Sequence, residues 1–146
     1  MRLWVTIIAL TLATAPLASG KKSEAFQDLE TRAQSAKLGD QPPLYVELAE
    51  RELLSVLELY HQGKIEQARS ALDAIVHYSQ KAHDASAGSN KKLKNTEIAF
   101  RKMALKMRDI KQTLNYEDQA PVQAAADKLE GFRMDLLSHL FPKAHK

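Results

Sequence analysis

Between residues 93 and 114, apolar or small side chains return at alternating steps of three and four: Leu93, Thr96, Phe100, Met103, Met107, Ile110 and Leu114. Such a row lies along one face of an α-helix. The same steps recur at Ile65, Ala68, Leu72, Ile75, Ser79 and Ala82, and again at Val122, Ala125, Leu129, Phe132 and Leu136. Another segment carries Val46, Ala49, Leu53, Val56 and Tyr60, widened by Leu48, Leu54 and Leu57. A step averaging about 3.5 residues keeps one seam facing a partner helix, as in a coiled coil. Breakers separate the segments at Gly39-Asp40-Gln41-Pro42-Pro43, Gln62-Gly63, Ala87-Gly88-Ser89-Asn90 and residues 115–121. Short links between long amphipathic segments predict antiparallel neighbours. The expected fold is all-α: an antiparallel four-helix bundle, up-down-up-down, over residues 43–141. A thinner stripe (Phe26, Leu29, Ala33, Ala36) predicts an additional amino-terminal helix with its linker over 21–42, packed on the outside of the bundle or frayed.

Residues 1–20 read differently. Arg2 precedes an apolar run from Leu3 to about Ala15, which ends at Pro16 and the small residues Ala18-Ser19-Gly20. Charge, apolar core and small residues are the layout of a secretory signal peptide. A membrane anchor needs about twenty apolar residues, and this run is shorter and holds three threonines, so no transmembrane segment is expected after cleavage at Gly20 or Ala18. The chain contains no cysteine. That excludes a disulfide framework, a thiolate metal site and a cysteine nucleophile, and with export it points to a bacterial periplasm or the outside of a bacterium. A basic tail, Lys143-Ala144-His145-Lys146, occupies residues 142–146 with Pro142.

Tyr60-His61-Gln62-Gly63-Lys64-Ile65-Glu66-Gln67-Ala68, followed by Leu72, resembles the middle of a tetratricopeptide repeat. In that family the glycine turns the chain between two helices and the alanine lets them approach. The resemblance implies one helical hairpin of that style over about residues 52–82 within an exported bacterial helical protein. It departs from the family at Glu52, Val56 and Gln80, where a bulky aromatic, a small residue and a closing proline belong. A second repeat would place its glycine and alanine at Glu97 and Lys102, so no repeat array follows.

Catalytic and cofactor chemistry finds little to build on. A di-iron bundle needs two Glu-x-x-His pairs, and one is present, Glu58 with His61. Asp73 with His77 and Asp135 with His139 stand at i,i+4, where a carboxylate can orient an imidazole or form a surface pair. Met103 and Met107 fall on the seam as core filler. No Gly-x-Ser-x-Gly elbow, phosphate-binding glycine loop or His-Glu-x-x-His pattern occurs. The expected protein is not an enzyme and carries no cofactor. The alternative is a periplasmic ligand-binding bundle with haem, metal or an apolar ligand in its seam.

Charge is segregated. Residues 87–114 hold eight cations against Glu97 and Asp109, while residues 43–62 hold Glu47, Glu50, Glu52 and Glu58 against Arg51. Lys94, Arg101 and Arg108 recur every seven residues as an outward row flanked by Lys91 and Lys102. The row either pairs with the acidic helix inside the molecule or forms a patch for an anionic protein or envelope component. No aromatic residue interleaves it, which argues against nucleic acid. The sequence leaves the oligomeric state open.

Overall fold

The computed structural model describes residues 20–143, with side chains from residue 24 onward. Residues 1–19 of the expected signal peptide and residues 144–146 of the basic tail lie outside the described residues. Helix α1 spans Gly20–Ser35, α2 Gln41–His61, α3 Ile65–Ser89, α4 Leu93–Gln112 and α5 Tyr116–Leu140; one turn of 3-10 helix, Leu38–Asp40, leads into α2. The described chain is all-α. None of its helices is long and apolar enough to cross a membrane.

Local chemistry explains most helix ends. Pro42 and Pro43 occupy the first turn of α2, where a missing N–H leaves no intrahelical bond unmade. Gly63 turns the chain between α2 and α3 at φ +70, a left-handed conformation that glycine adopts without steric cost. Asn90 ends α3 in the same left-handed region, at φ 54, and Lys92 follows at φ 60. Two non-glycine residues at positive φ within one three-residue link make it tight and costly.

Two breakers do not break. α3 continues through Ala87 and Gly88 to Ser89, whose Oγ donates to the Ala85 carbonyl at 2.7 Å. The Ser86 hydroxyl donates across the link to the Lys91 carbonyl at 2.6 Å. Buried Ala82, Ala85 and Ser86 hold this last stretch against the core, which outweighs glycine's weak helix propensity. Likewise α5 starts at Tyr116 and carries Pro121 inside it. The Gln119 side chain donates to the Leu114 carbonyl at 3.1 Å, stitching the α4–α5 link to the first turn.

The predicted seams form the core. Phe100, Met107, Ile75, Val56, Val122, Leu129 and Leu136 are fully buried. Full burial of such a side chain contributes roughly 1.5–3 kcal/mol. α2 packs chiefly on α3 and α4 chiefly on α5, and the two pairs meet where α3 lies beside α5 and α2 beside α4. Phe100 and Phe132 join α4 to α5, their ring centroids 6.1 Å apart. Alanines at 68, 71 and 82 of α3 and at 125 and 126 of α5 are buried and keep those surfaces thin.

α1 packs on α2 through Leu29 and Ala33, which belong to the same core. Phe26 meets the Tyr78 ring edge-on at 5.8 Å, and the Tyr78 hydroxyl donates to Glu30 Oε1 at 3.0 Å. Burial first, and that hydrogen bond second, push the Tyr78 phenol well above its ordinary range, so it stays a donor at physiological pH. Leu54 departs from the expected stripe: it is 80% exposed, on the outward face of α2, one position beyond buried Leu53.

Candidate functional site

The outward face of α4 begins at its link to α3. Lys91 is exposed, and its aliphatic stem lies on the buried backbone of Gly39, where a Cβ would stand 2.6 Å from Lys91 Cδ. That close approach fits only glycine without the lysine stem moving. Lys94, Arg101 and Lys102 are exposed, each directly after or before a core position of the helix. Arg108 is half-buried, its Nη2 lying 3.7 Å from Glu130 Oε1 on α5.

Several acids near this face are engaged elsewhere. Glu97 is only 7% exposed and accepts the Arg133 Nε–H at 2.6 Å. Arg133 also reaches Glu130 at 3.2 Å, so Glu130 bridges Arg133 and Arg108. The hydrogen bond to Glu97 is the first cause holding the Arg133 guanidinium above its already high ordinary pKa. On α2, Glu47 pairs with Arg51 at 2.6 Å, and Glu58 accepts from the Gln62 amide at 2.6 Å. Among the described residues, no carboxylate forms an ion pair with Lys91, Lys94, Arg101 or Lys102. Of the two carboxylates set against the cations of α4, Glu97 is spent inward and Asp109 stays exposed, so the exposed face is more basic than the count by one charge.

The three carboxylate–histidine spacings fare unequally. His61 is exposed while Glu58 binds Gln62 instead. Asp73 and His77 are both exposed, and His77 lies edge-on to Tyr78 at 5.3 Å. His139 does meet Asp135, with Nδ1 at 3.5 Å from Oδ2 and at 2.9 Å from the Asp135 carbonyl oxygen.

The histidine that matters to the packing is His83, which no motif marks. Its Nδ1 lies 2.8 Å from Asp84 Oδ1 and its Nε2 2.6 Å from Asp135 Oδ2. Its ring stacks on Phe132 at 5.3 Å. This clamp ties α3 to α5. A neutral imidazole has one N–H and could donate to only one of the two carboxylates; both bonds together need both nitrogens protonated. No local signal foretells it, because Asp135 lies 52 residues away in the chain. No group of three or more histidine, cysteine, aspartate or glutamate side chains among the described residues is arranged to hold a metal ion.

An all-α fold with a basic helix face and tightly filled seams defines a helical-bundle protein with one conspicuous charged surface. No protein-family model, no curated protein and no solved structure matches the chain.

Proposed function

We propose that this is an exported, non-enzymatic helical-bundle protein that binds a protein or an anionic envelope component through the basic face of α4. Its core is read as an antiparallel four-helix bundle in up-down-up-down order, with α1 added outside and the α2–α3 pair as a single tetratricopeptide-like hairpin. The amino-terminal residues 1–20 act as the signal peptide, which places the protein in a bacterial periplasm or outside the cell. One observation carries the binding role. Lys94, Arg101 and Lys102 are exposed without an ion-pair partner among the described residues, while neighbouring Glu97 and Glu130 are committed to arginines of the α4–α5 pair. A face whose charges served only to hold the bundle would be paired within it.

The test reverses Lys94, Arg101 and Lys102 together to glutamate. Arg108 is left alone, because its reversal would also disturb Glu130. Capture of material from an envelope fraction is expected to fall at least tenfold, by about the order that two or three lost charge contacts supply. Wild-type capture should weaken as salt rises, since screening acts over about 8–10 Å at ordinary ionic strength. Helicity and melting temperature should stay near those of the wild type. A folded variant with unchanged capture sinks the proposal.

A further inference from the structure

Several links and helix ends meet at one end of the bundle. The stem of Lys91 lies on Gly39, and the Leu38 side chain stands beside Gly88 near the end of α3. The first turns of α2 and α4 share a cleft lined by Pro43, Val46, Lys92, Asn95 and Thr96. The end of α5 arrives at the same level. His83 meets Asp135, and six residues further along each helix stand Ser89 and Phe141. Glu97, one turn inside α4, meets Arg133, and Phe141 lies eight residues, about 12 Å, past that arginine. Both contacts set Phe141 beside the α3–α4 link.

The side chains gathered there are of two kinds. Residues 37–43, 88–95 and 140–143 hold five lysines against the single acid Asp40. Lys94 belongs to the α4 row; Lys37, Lys91, Lys92 and Lys143 lie outside that helix and are exposed. Among the described residues none of these four forms an ion pair. Between them Leu38 is 49% and Phe141 74% exposed. The link itself is held fast: the Ser86 hydroxyl binds the Lys91 carbonyl, and Lys92 keeps a left-handed φ of 60 that glycine would adopt at no cost. A lysine in that place presents a charge that glycine would not.

We propose that this end of the bundle docks on an anionic bilayer, with Lys37, Lys91, Lys92 and Lys143 among the lipid headgroups and Leu38 and Phe141 dipping into the interface. Such binding draws on apolar burial and on attraction to anionic lipid together. Lysine suits the task, because a point charge on a flexible stem follows mobile headgroups without needing a fixed fork geometry. A soluble polyanion would pair with the lysines and leave both apolar side chains in water. The far end of the bundle sets Glu58, Glu66, Glu117 and Asp118 against Lys64, Arg69 and Lys111, so approach is end-on. Arg101 and Lys102 lie about 12 Å down α4 from Leu93, and the inference does not rest on them.

Vesicle binding tests it. The chain has no cysteine, so Pro142→Cys carries a single environment-sensitive dye at this end, and Tyr116→Cys carries it at the other end of α5. With vesicles of phosphatidylcholine mixed with phosphatidylglycerol, the dye at 142 is expected to shift to the blue and the dye at 116 to stay unmoved. Pure phosphatidylcholine should move neither, and salt should reverse the shift. Residues 1–20 are common to every variant, and insertion through them alone would leave the dye at 142 in water. In cosedimentation, Lys37→Glu with Lys143→Glu should weaken binding at least tenfold, since each cation near an anionic surface is worth roughly fivefold. Lys64→Glu with Lys128→Glu makes the same change of net charge away from this end and should cost less than about threefold. Leu38→Ser with Phe141→Ser should also weaken binding, and serves if the charge-reversed protein does not fold.

The proposal is overturned by a wild type that ignores anionic vesicles at low salt, by equal shifts of the two dyes, or by a loss from the Lys64 and Lys128 reversals as large as that from the end. Vesicle binding that falls only with Arg101→Glu and Lys102→Glu would turn the bilayer to the side of α4 and overturn the end-on contact. Tight binding of soluble polyphosphate without binding of vesicles would assign the lysines to a soluble polyanion instead. The two proposals fail separately. A protein that ignores vesicles yet is captured through Lys94, Arg101 and Lys102 loses the end contact alone, whereas vesicle binding by this end with capture indifferent to those residues sinks the α4 reading alone.

Discussion

Replacing Phe100 with alanine should lower the melting temperature by about 10–20 °C, whereas Arg101→Ala should leave it almost unchanged. Phe100 has no exposed surface and touches Phe132 across the α4–α5 contact. Truncating a buried phenylalanine costs about 3–5 kcal/mol, through lost transfer energy and the cavity left behind. Domains of this size have only about 5–15 kcal/mol in hand, and each kcal/mol shifts the midpoint by a few degrees. Arg101 is the next residue in the chain, yet it is exposed and without an ion pair among the described residues, and such surface changes stay within about 0.5 kcal/mol. Thermal melts followed by circular dichroism decide the matter. Equal shifts for the two variants would mean that α4 presents a different face to the core.

The second large effect belongs to Arg133. Its guanidinium is the partner of Glu97, whose side chain is only 9% exposed, and of half-buried Glu130. Arg133→Ala would leave the Glu97 carboxylate in the core face of α4 without its charge-assisted bond. Breaking a fully buried pair from one side costs about 3–5 kcal/mol; Arg133 retains some solvent contact, so a cost of about 2–4 kcal/mol is expected. Removing both ends should hurt less than removing one. Glu97→Leu combined with Arg133→Leu is expected to lie within about 1 kcal/mol of wild type, since an apolar pair escapes the desolvation cost that the ions bear. Denaturant unfolding of the two single variants and the double variant closes the cycle. A single Arg133→Ala variant as stable as wild type would show that Glu97 finds another partner or water.

Periodicity carried most of the fold into view. The rows through Ala68–Leu72–Ile75, Phe100–Met103–Met107 and Val122–Ala125–Leu129 are buried in the positions that a 3.5-residue step assigns to them. Polar members of those rows, Ser79 and Thr96, are buried as well, and the Thr96 hydroxyl is satisfied by the Lys92 carbonyl at 2.8 Å. Local breakers were a poorer guide. Gly88 and Pro121 each sit inside a helix, because tertiary packing and side-chain bonds to the adjoining links override a single residue's preference. Leu54 shows the limit of hydrophobic patterning: a leucine beside a seam is not thereby in it. Of the candidate surface, Lys91, Lys94, Arg101 and Lys102 could be placed outward from spacing alone. The role of Arg108 could not, since Glu130 lies in another helix. His83 was equally hidden. Its partner Asp135 is brought to it only when α3 and α5 meet, and no spacing within one helix encodes that meeting.

That clamp bears on the order in which the chain assembles. The turn at Gly63 and the three-residue link at residues 113–115 close short loops, so the α2–α3 and α4–α5 contacts can form early at little entropic cost. The bond between His83 and Asp135 spans 52 residues and comes into being only when the two halves dock. A weakened clamp, as in His83→Asn, should therefore leave the refolding rate nearly unchanged and quicken unfolding, a low-φ signature readable from the two limbs of a chevron. If refolding slowed instead, docking of α3 on α5 would belong to the nucleus. On this account His83 acts less on how fast the protein reaches its native state than on how long it stays there.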